Sequence, residues 1–373
     1  RAPAATRSNS RTSMNTLVDN CLKRIELTPA TCLRRDDEAH PCLLAPGPFV
    51  ACGASTPPWG DRWAGVEATT AAARVGARAP ETRPQLLRRL AARGALVDGV
   101  LPPRFFENLR VDALSLSAAR SAEPALALAA AQTRAPTLTC LDLGSCLALD
   151  DDAVSAVVAA CGATLKRLGL RDCRKLTDAC FSSLAASRAL EDVDVGGNFN
   201  MTIRGAERFL EQRGALKRTR DDDDDPKAAL SGLSVAGLGC DDAFLAAASA
   251  RAPGLTVLGC GYGRFSSSAF RAAVAGLARL VDVRVQWTAT FDDAALAALG
   301  EACGGVRCVD ALGTSVTVDA LATFLRNKVH SDELGPMPTR RLEHFDARYT
   351  AGPREKLDAL PRAWAAAGVV VVV

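Results

Sequence analysis

The stretch Leu165-Lys-Arg-Leu-Gly-Leu-Arg-Asp-Cys-Arg-Lys-Leu-Thr-Asp178 decides the fold of this chain. It opens with the template L-x-x-L-x-L, whose last two leucines, Leu168 and Leu170, stand two positions apart. In an extended strand, two such residues point to the same face, while the residue between them points to the other face. The stretch therefore predicts a short strand with one apolar face, followed by a polar turn.

The template occurs eight times along the chain. The other copies begin at Val111, Leu138, Leu190, Leu230, Leu255, Leu280 and Val306. Neighbouring copies start 25 to 27 residues apart, except for one step of 40 residues. A fixed period of this kind is typical of stacked repeats, in which each unit can bury its apolar face only against its neighbours. We therefore predict an α/β solenoid with a curved parallel sheet inside and helices outside.

Short oxygen-bearing side chains mark the expected start of the helix in four repeats. They are Asp150, Asp151, Thr177, Asp178, Asp241, Asp242, Asp292 and Asp293. Such a side chain accepts a hydrogen bond from one of the N–H groups that a helix leaves free at its start. Apolar residues then recur at helical spacing, as at Phe181 and Leu184.

The repeats resemble the cysteine-containing leucine-rich repeats of the F-box-like and related families. The quoted stretch resembles that repeat almost position for position, and Cys146 and Cys173 stand at its first cysteine position. Elsewhere this position holds Asn198, Leu238, Gly263 or Thr288. The resemblance covers residues 111–328 and implies a leucine-rich-repeat solenoid. We interpret the cysteines as buried core residues rather than metal ligands.

The composition of the 373 residues argues against several classes of function. Forty-five basic and forty-two acidic residues give a net charge of +3, which does not suggest a nucleic-acid partner. No apolar run reaches the roughly 20 residues of a membrane helix, so no membrane partner is expected. Only three histidines occur, without a P-loop or a Gly-x-Ser-x-Gly motif. We expect no enzymatic activity, no cofactor and no metal site.

The cysteines indicate where such a protein resides. There are 13 of them, an odd number, and none forms a Cys-x-x-Cys pair. The sequence also has no signal-peptide pattern. Reduced thiols of this kind are typical of the cytoplasm or the nucleus, where we expect the protein.

A first amphipathic pattern lies near the start of the chain. Leu17, Cys21 and Ile25 fall on one stripe of a predicted helix. Their spacing resembles the box that docks onto elongin C in ubiquitin-ligase receptors. This resemblance implies an adaptor-binding role for the three residues.

A second pattern precedes the repeats directly and comprises Leu101, Pro102, Phe105 and Leu109. It resembles the cullin box of the same receptors. The order of the elongin-box-like motif, the cullin-box-like motif and the repeats also resembles that of the receptor subunits of elongin–cullin ligases. A helix that starts with proline ahead of repeats also resembles a degenerate F-box, which would bind a Skp-type adaptor instead.

These observations predict five segments. They are an N-terminal helix with the elongin-box-like motif at 1–29, a disordered linker or insertion at 30–84, a helical N-terminal cap with the cullin-box-like motif at 85–110, the leucine-rich repeats at 111–328 and a degenerate terminal repeat at 329–373. Within the repeats, an acidic loop at 215–227 contains five consecutive aspartates and accounts for the long step.

Polar side chains beside the inward apolar residues are predicted to line the concave face. The candidates for partner binding are Arg167, Arg171, Asp192, Asp194, Asp282, Arg284, Gln286, Trp287 and Asp310. A basic patch beside an acidic one suits a mixed-charge peptide or protein, and Arg and Trp are frequent binding hot spots. The alternative is a solvated face on which these charges pair with one another.

Two functions follow. The first is a non-catalytic substrate-recognition subunit of a cullin–RING ubiquitin ligase, with a protein substrate on the concave face and an elongin C or Skp-type adaptor and a cullin at the N-terminal boxes. The second is a stand-alone interaction scaffold with no link to ubiquitin. In that case the N-terminal helices would cap the open end of the solenoid, and the stripe would be buried against Phe105 and Phe106.

Overall fold

The computed structural model of the chain describes residues 106, 111–117, 119, 121–133, 136–218, 230–330, 342–349, 354–365 and 369–372. Strands and helices alternate through these residues. The strands are β1 (Ala113–Ser115), β2 (Cys140–Asp142), β3 (Arg167–Gly169), β4 (Asp192–Asp194), β5 (Gly232–Ser234), β6 (Val257–Gly259), β7 (Asp282–Arg284), β8 (Cys308–Asp310), β9 (His344–Asp346) and β10 (Val370–Val372).

The helices connect these strands in sequence order. They are α1 (Glu123–Gln132), α2 (Asp151–Cys161), α3 (Cys180–Ala186), α4 (Ile203–Arg218), α5 (Asp242–Arg251), α6 (Ser267–Gly276), α7 (Asp293–Ala302), α8 (Val318–His330) and α9 (Arg354–Ala365). The ten strands form one sheet in the order β1 to β10, and every neighbouring pair is parallel. The predicted α/β leucine-rich-repeat solenoid is confirmed.

One row of apolar side chains sets the register of the whole sheet. The middle residue of each strand lies opposite the middle residue of the next, as in the pairing of Leu141 with Leu168. The row runs through Leu114, Leu141, Leu168, Val193, Leu233, Leu258, Val283, Val309, Phe345 and Val371, all at most 6% exposed. Because a shift by one residue would turn these side chains to the other face, the buried row holds successive repeats in register.

The repeat position that holds Cys146 and Cys173 provides a hydrogen-bond donor to the backbone of the preceding repeat. The Cys146 thiol donates to the Leu116 carbonyl at 3.3 Å, and the Cys173 thiol donates to the Leu143 carbonyl at 3.2 Å. Asn198 takes the same role, since its Nδ2 donates to the Leu170 carbonyl at 2.9 Å. In these three repeats a small donor at this position satisfies a carbonyl that would otherwise be buried without a partner, whereas Leu238 and Gly263 have no side-chain donor there.

Three of the predicted helix caps are present. The carboxylate of Asp150 accepts from the Ala153 N–H at 3.0 Å, and Asp241 and Asp292 cap α5 and α7 in the same way. The prediction for Thr177 and Asp178 was wrong, because α3 begins at Cys180 with Ala179 at its N-cap and no side-chain cap. Asp178 is instead engaged by the next repeat.

A second set of aspartates fastens each repeat to the one that follows. Asp293, the first residue of α7, accepts from the Thr317 N–H at 2.7 Å and from the Thr317 hydroxyl at 2.8 Å. The same pair of bonds joins Asp151 to Thr177, Asp178 to Thr202 and Asp242 to Ser266. We call this contact the aspartate clasp. It holds the starts of successive helices together.

Two predicted boundaries fall within helices, and one of them is the boundary at residue 328, which α8 crosses to end at His330. Helix α4 extends to Arg218, so the start of the predicted acidic loop at 215–227 is helical, as expected for Ala215, Leu216, Lys217 and Arg218, which are good helix formers. Residues 219–229 lie outside the described residues, as do the predicted segments at 1–29 and 30–84 and most of the segment at 85–110. Strand β9, helix α9 and strand β10 continue the solenoid within 329–373.

The aspartate clasp is expected to carry measurable stability. In Asp293→Ala, the Thr317 N–H and hydroxyl lose their shared acceptor, so we expect the free energy of unfolding to fall by about 1–3 kcal/mol in urea denaturation. The control is Asp319→Ala, which removes another acidic residue from the first turn of a helix. Its carboxylate pairs only at the surface with Lys356, so the loss should stay below about 1 kcal/mol. Equal losses in the two variants would contradict the role of the clasp.

Candidate functional site

The nine side chains predicted to line the concave face divide into a buried and an accessible group. Asp192, Asp194, Asp282, Arg284 and Gln286 are all 8% exposed or less. Arg167, Arg171 and Asp310 are half-buried, and Trp287 is 45% exposed. The side chains of the buried group were expected to be accessible on the concave face, but the structure buries them. A partner could reach the accessible group directly.

Pairing on the same strand explains part of this burial. The Arg284 guanidinium donates from Nε to Asp282 Oδ1 at 3.3 Å and from Nη2 to Oδ2 at 2.9 Å. Residues two apart on a strand share a face, so the two side chains lie side by side. Arg348, two residues after the last residue of β9, forms the same pair with Asp346, with an Nη2–Oδ2 distance of 2.7 Å. The charges of these residues pair with one another, as in the alternative interpretation, but the acidic partners are buried rather than solvated.

Asp310 lies between these two pairs, on β8. Its Oδ1 accepts from the Leu312 N–H at 3.3 Å, and within the described part of the chain it forms no ion pair shorter than 4.0 Å. Burial, together with the nearby Asp346 carboxylate, raises the pKa of Asp310 to about 6, although Arg284 and Arg348 act in the opposite direction. The ordinary value is 3.8, so the fold holds this carboxyl in a site that disfavours its charge.

In each of the loops after β2 to β9, the residue two positions past the last apolar residue of the template has a positive φ. These residues are Ser145, Asp172, Gly197, Gly237, Tyr262, Trp287, Gly313 and Tyr349, with φ between 56° and 81°. The N–H of this residue donates to a carbonyl of the next repeat, as from Trp287 to Leu312 at 2.7 Å. The stacking of repeats thus imposes a left-handed backbone here, whatever the residue type.

Three aromatic residues occupy this position, where glycine would be free of strain. Tyr262, Trp287 and Tyr349, which we call the aromatic rim, have φ values of 57°, 56° and 64°. A left-handed backbone raises the energy of a residue with a Cβ by about 1–2 kcal/mol. Strained residues of this kind cluster at functional sites, so the rim is a candidate for function.

The aromatic rim is also accessible. Tyr262 is 54% exposed and Tyr349 is 73% exposed. The Trp287 and Tyr349 rings lie with centroids 5.4 Å apart across the intervening repeat. Gly313 makes this approach possible, because a Cβ there would lie 2.6 Å from Cε3 of Trp287. The result is an exposed aromatic surface at the ends of strands β6 to β9.

Gln286 connects the aromatic rim to the floor of the face. Its amide group lies over Gly261, where a Cβ would come within 2.5 Å of Gln286 Cδ. Its Oε1 is buried and has no hydrogen-bond partner in the structure as described. A buried acceptor without a donor is unfavourable by roughly 1–3 kcal/mol, so this oxygen is a local source of instability beneath the rim.

Sequence reasoning found Trp287, Gln286 and Asp310 but missed Tyr262 and Tyr349. The repeat alignment held the signal, since all three aromatic residues follow the last apolar template position by two residues. The predicted adaptor-binding residues lie outside the described residues. They are Leu17, Cys21, Ile25, Leu101, Pro102, Phe105 and Leu109. Phe106, which is described, is 1% exposed and packs in the core.

Most thiols of the described residues are buried, and burial disfavours the thiolate form. Nine cysteines of the described residues are free, and all but Cys308 are buried. Burial raises the pKa of Cys161 to about 11 and that of Cys173 to about 12. Across residues 106–372, as far as they are described, no three His, Cys, Asp or Glu side chains are grouped to hold a metal ion. No helix in the same residues is long and apolar enough to span a membrane.

Comparison with known proteins finds similarity only at the level of the fold. No protein-family model matches the chain, and a search of curated proteins gives no match. Among solved structures, the chain is similar to the yeast complex of Rad7 and Elc1, at 12% identity and a TM-score of 0.39. The match covers 95% of this chain and 100% of that chain. A likeness this distant supports no conclusion about function.

Backbone strain at the aromatic rim can be measured by substitution with glycine. In Tyr262→Gly, relief of about 1–2 kcal/mol of strain offsets the backbone entropy of the new glycine, about 0.5–1 kcal/mol. We expect stability in urea to stay unchanged or to rise by up to about 1 kcal/mol. The control is Phe199→Gly, since Phe199 is 80% exposed and has no positive φ. It should lose about 0.5–1 kcal/mol. Equal destabilisation by both changes would argue against strain.

The raised pKa of Asp310 predicts a pH-dependent gain from Asp310→Asn. The wild-type protein loses stability as the pH rises from about 4 through 6, because Asp310 ionises more readily in the unfolded chain. Asparagine does not ionise, so the variant should be more stable by up to about 3 kcal/mol at pH 8 and equal to wild type below pH 4. Urea unfolding at several pH values measures this. Glu301→Gln, on the exposed face of α7, should show no comparable gain, and a gain independent of pH would refute the assignment.

Proposed function

We propose that this chain is a non-catalytic protein-recognition subunit that presents the aromatic rim to a protein partner. The observation that carries this proposal is the exposure of three aromatic side chains on a left-handed backbone. Selection for stability alone favours glycine at such positions, as at Gly197 and Gly237. Tyrosine and tryptophan are the residues most enriched at binding hot spots.

We further propose that recognition serves a cullin–RING ubiquitin ligase in the cytoplasm or the nucleus. The support is the spacing of Leu17, Cys21 and Ile25, followed by that of Leu101, Pro102, Phe105 and Leu109, ahead of a recognition solenoid. An elongin C or Skp-type adaptor would bind the first motif and a cullin the second. The chain would then hold its protein substrate close to a ubiquitin-charged enzyme, so that its own contribution is proximity.

A second candidate function, the stand-alone scaffold, has one structural observation in its favour. Phe106 is buried in the hydrophobic core of the solenoid. Its neighbours in sequence include Phe105 and Leu109 of the cullin-box-like motif. A segment with one side chain in the core is what a helical cap requires, although a cap and a docking motif can share one segment.

The N-terminal stripe provides the test between the two functions. In Leu17→Asp with Cys21→Asp, charges replace two apolar contacts of the stripe, so adaptor and cullin should be lost from affinity capture of the tagged full-length chain out of its own cell extract. Binding of the substrate should remain, since the solenoid is unchanged. Mass spectrometry compares the captured proteins.

The matched control places two acidic residues at positions of the same predicted helix that lie outside the motif, Asn20→Asp with Lys23→Asp. This variant should retain adaptor and cullin. The ligase function is wrong if the stripe variant keeps them or if wild type captures neither. Reproducible capture of another protein alone would support the scaffold.

A further inference from the structure

The face beside the aromatic rim carries an acidic group, Asp310, that forms no ion pair within the described residues, although Arg284 and Arg348 lie near it. Arg284 and Arg348 donate to Asp282 and Asp346, so the basic side chains on either side of Asp310 are engaged. Asp310 itself receives one N–H at 3.3 Å and no ion pair from the described residues. A half-buried carboxylate of this kind gains most from a cation brought by a ligand.

Asp310 and Trp287 both form a hydrogen bond with the backbone of one residue, Leu312. The Leu312 N–H donates to Asp310 Oδ1 at 3.3 Å, and the Trp287 N–H donates to the carbonyl oxygen of the same residue at 2.7 Å. The Trp287 ring extends from this point over Gly313 towards Tyr349. A long side chain that lies along the ring could therefore reach the carboxylate with its end group.

The chemistry of the surrounding groups favours a positive charge. Aromatic faces attract cations, tryptophan most strongly, and the Trp287 ring is 45% exposed. Lysine and arginine both combine an apolar stem with several N–H donors at the end.

We propose that Trp287 and Tyr349, with Asp310 beside them, bind a lysine or arginine side chain of a partner protein. This inference rests on the proposed recognition function and names the residue that the site takes. The stem packs along the aromatic rings, and the charged end pairs with Asp310. The charge complementarity of the site identifies the occupant as a basic segment of the partner.

The test is selection of random peptides displayed on phage against the immobilised full-length chain. Recovered peptides are synthesised, and their dissociation constants are measured against wild type, Trp287→Gly and Asp310→Asn. We expect the recovered peptides to share one lysine or arginine, whose replacement by glutamine weakens binding about tenfold. Trp287→Gly and Asp310→Asn should weaken binding by a similar factor.

Two controls separate binding from folding. Thermal melts establish that both variants are folded, and glycine suits the left-handed backbone at position 287. Phe199→Gly, which removes another exposed ring, should leave peptide binding unchanged. Arg264→Gln removes an exposed cation that lies two residues after Tyr262, and it too should leave binding unchanged.

The outcomes distinguish this inference from the function on which it rests. Two outcomes would overturn the inference and leave the recognition function in place. In the first, the peptides lose affinity in Trp287→Gly but share no basic residue. In the second, they share an acidic residue and depend on Arg264. Tight binding of a peptide copy of residues 1–13 would make the chain's own basic segment the occupant and overturn the choice of a partner. If no peptide is enriched, or if neither variant changes binding, both the inference and the rim as recognition surface are wrong.

Discussion

The structure depends on the in-register stacking of the apolar residue at the centre of each strand. A three-residue strand and a single helix bury too little surface to fold alone, so each repeat gains stability only from its neighbours. The row from Leu114 to Val371 is continuous through the sheet. Because the row is buried, a register shift of one residue would expose it. The register therefore also sets the spacing of every other contact between repeats.

Polar groups follow the same spacing and give the stack its specificity. At one edge, Cys146, Cys173 and Asn198 donate to carbonyls of the preceding repeat. At the helix starts, the aspartate clasp joins successive repeats through a carboxylate that receives two bonds. Each device satisfies backbone groups that stacking would otherwise bury without partners. This explains why a thiol, an amide or a carboxylate recurs at fixed positions although the residue type varies.

The aromatic rim places large side chains at a position where glycine would be free of strain. The ladder of hydrogen bonds after each strand holds one residue per repeat in the left-handed region, and the chain places glycine there three times. Tyr262, Trp287 and Tyr349 oppose that preference and remain exposed. Beside them, Asp282, Arg284 and Asp346 are buried in ion pairs, the last of them with the half-buried Arg348. Asp310 forms no ion pair with the described residues. Strain and incomplete pairing thus occur at the same end of the sheet, as expected where a protein binds a partner.

The sequence by itself determined the repeat, its period and the alternation of strand and helix. Each repeat has an apolar face that only its neighbours can cover, so the same apolar positions must recur in every repeat. Leu168 and Leu170 accordingly have counterparts in every copy of the template. The sequence also indicated three of the helix caps, since capping depends on a local side chain. The cap predicted at Thr177 was wrong because Asp178 is bonded across repeats to Thr202, a contact that local sequence does not reveal.

Only the tertiary structure decided which polar residues of the concave face are accessible. Asp282 and Arg284 look like surface charges in sequence, but they lie side by side on one strand face and are buried as a pair. The left-handed position of Trp287 likewise comes from a hydrogen bond to Leu312 of the next repeat. Local sequence sets which side chains a repeat carries, whereas stacking sets which of them are paired, strained or exposed, because those properties depend on the distance to the neighbouring repeat.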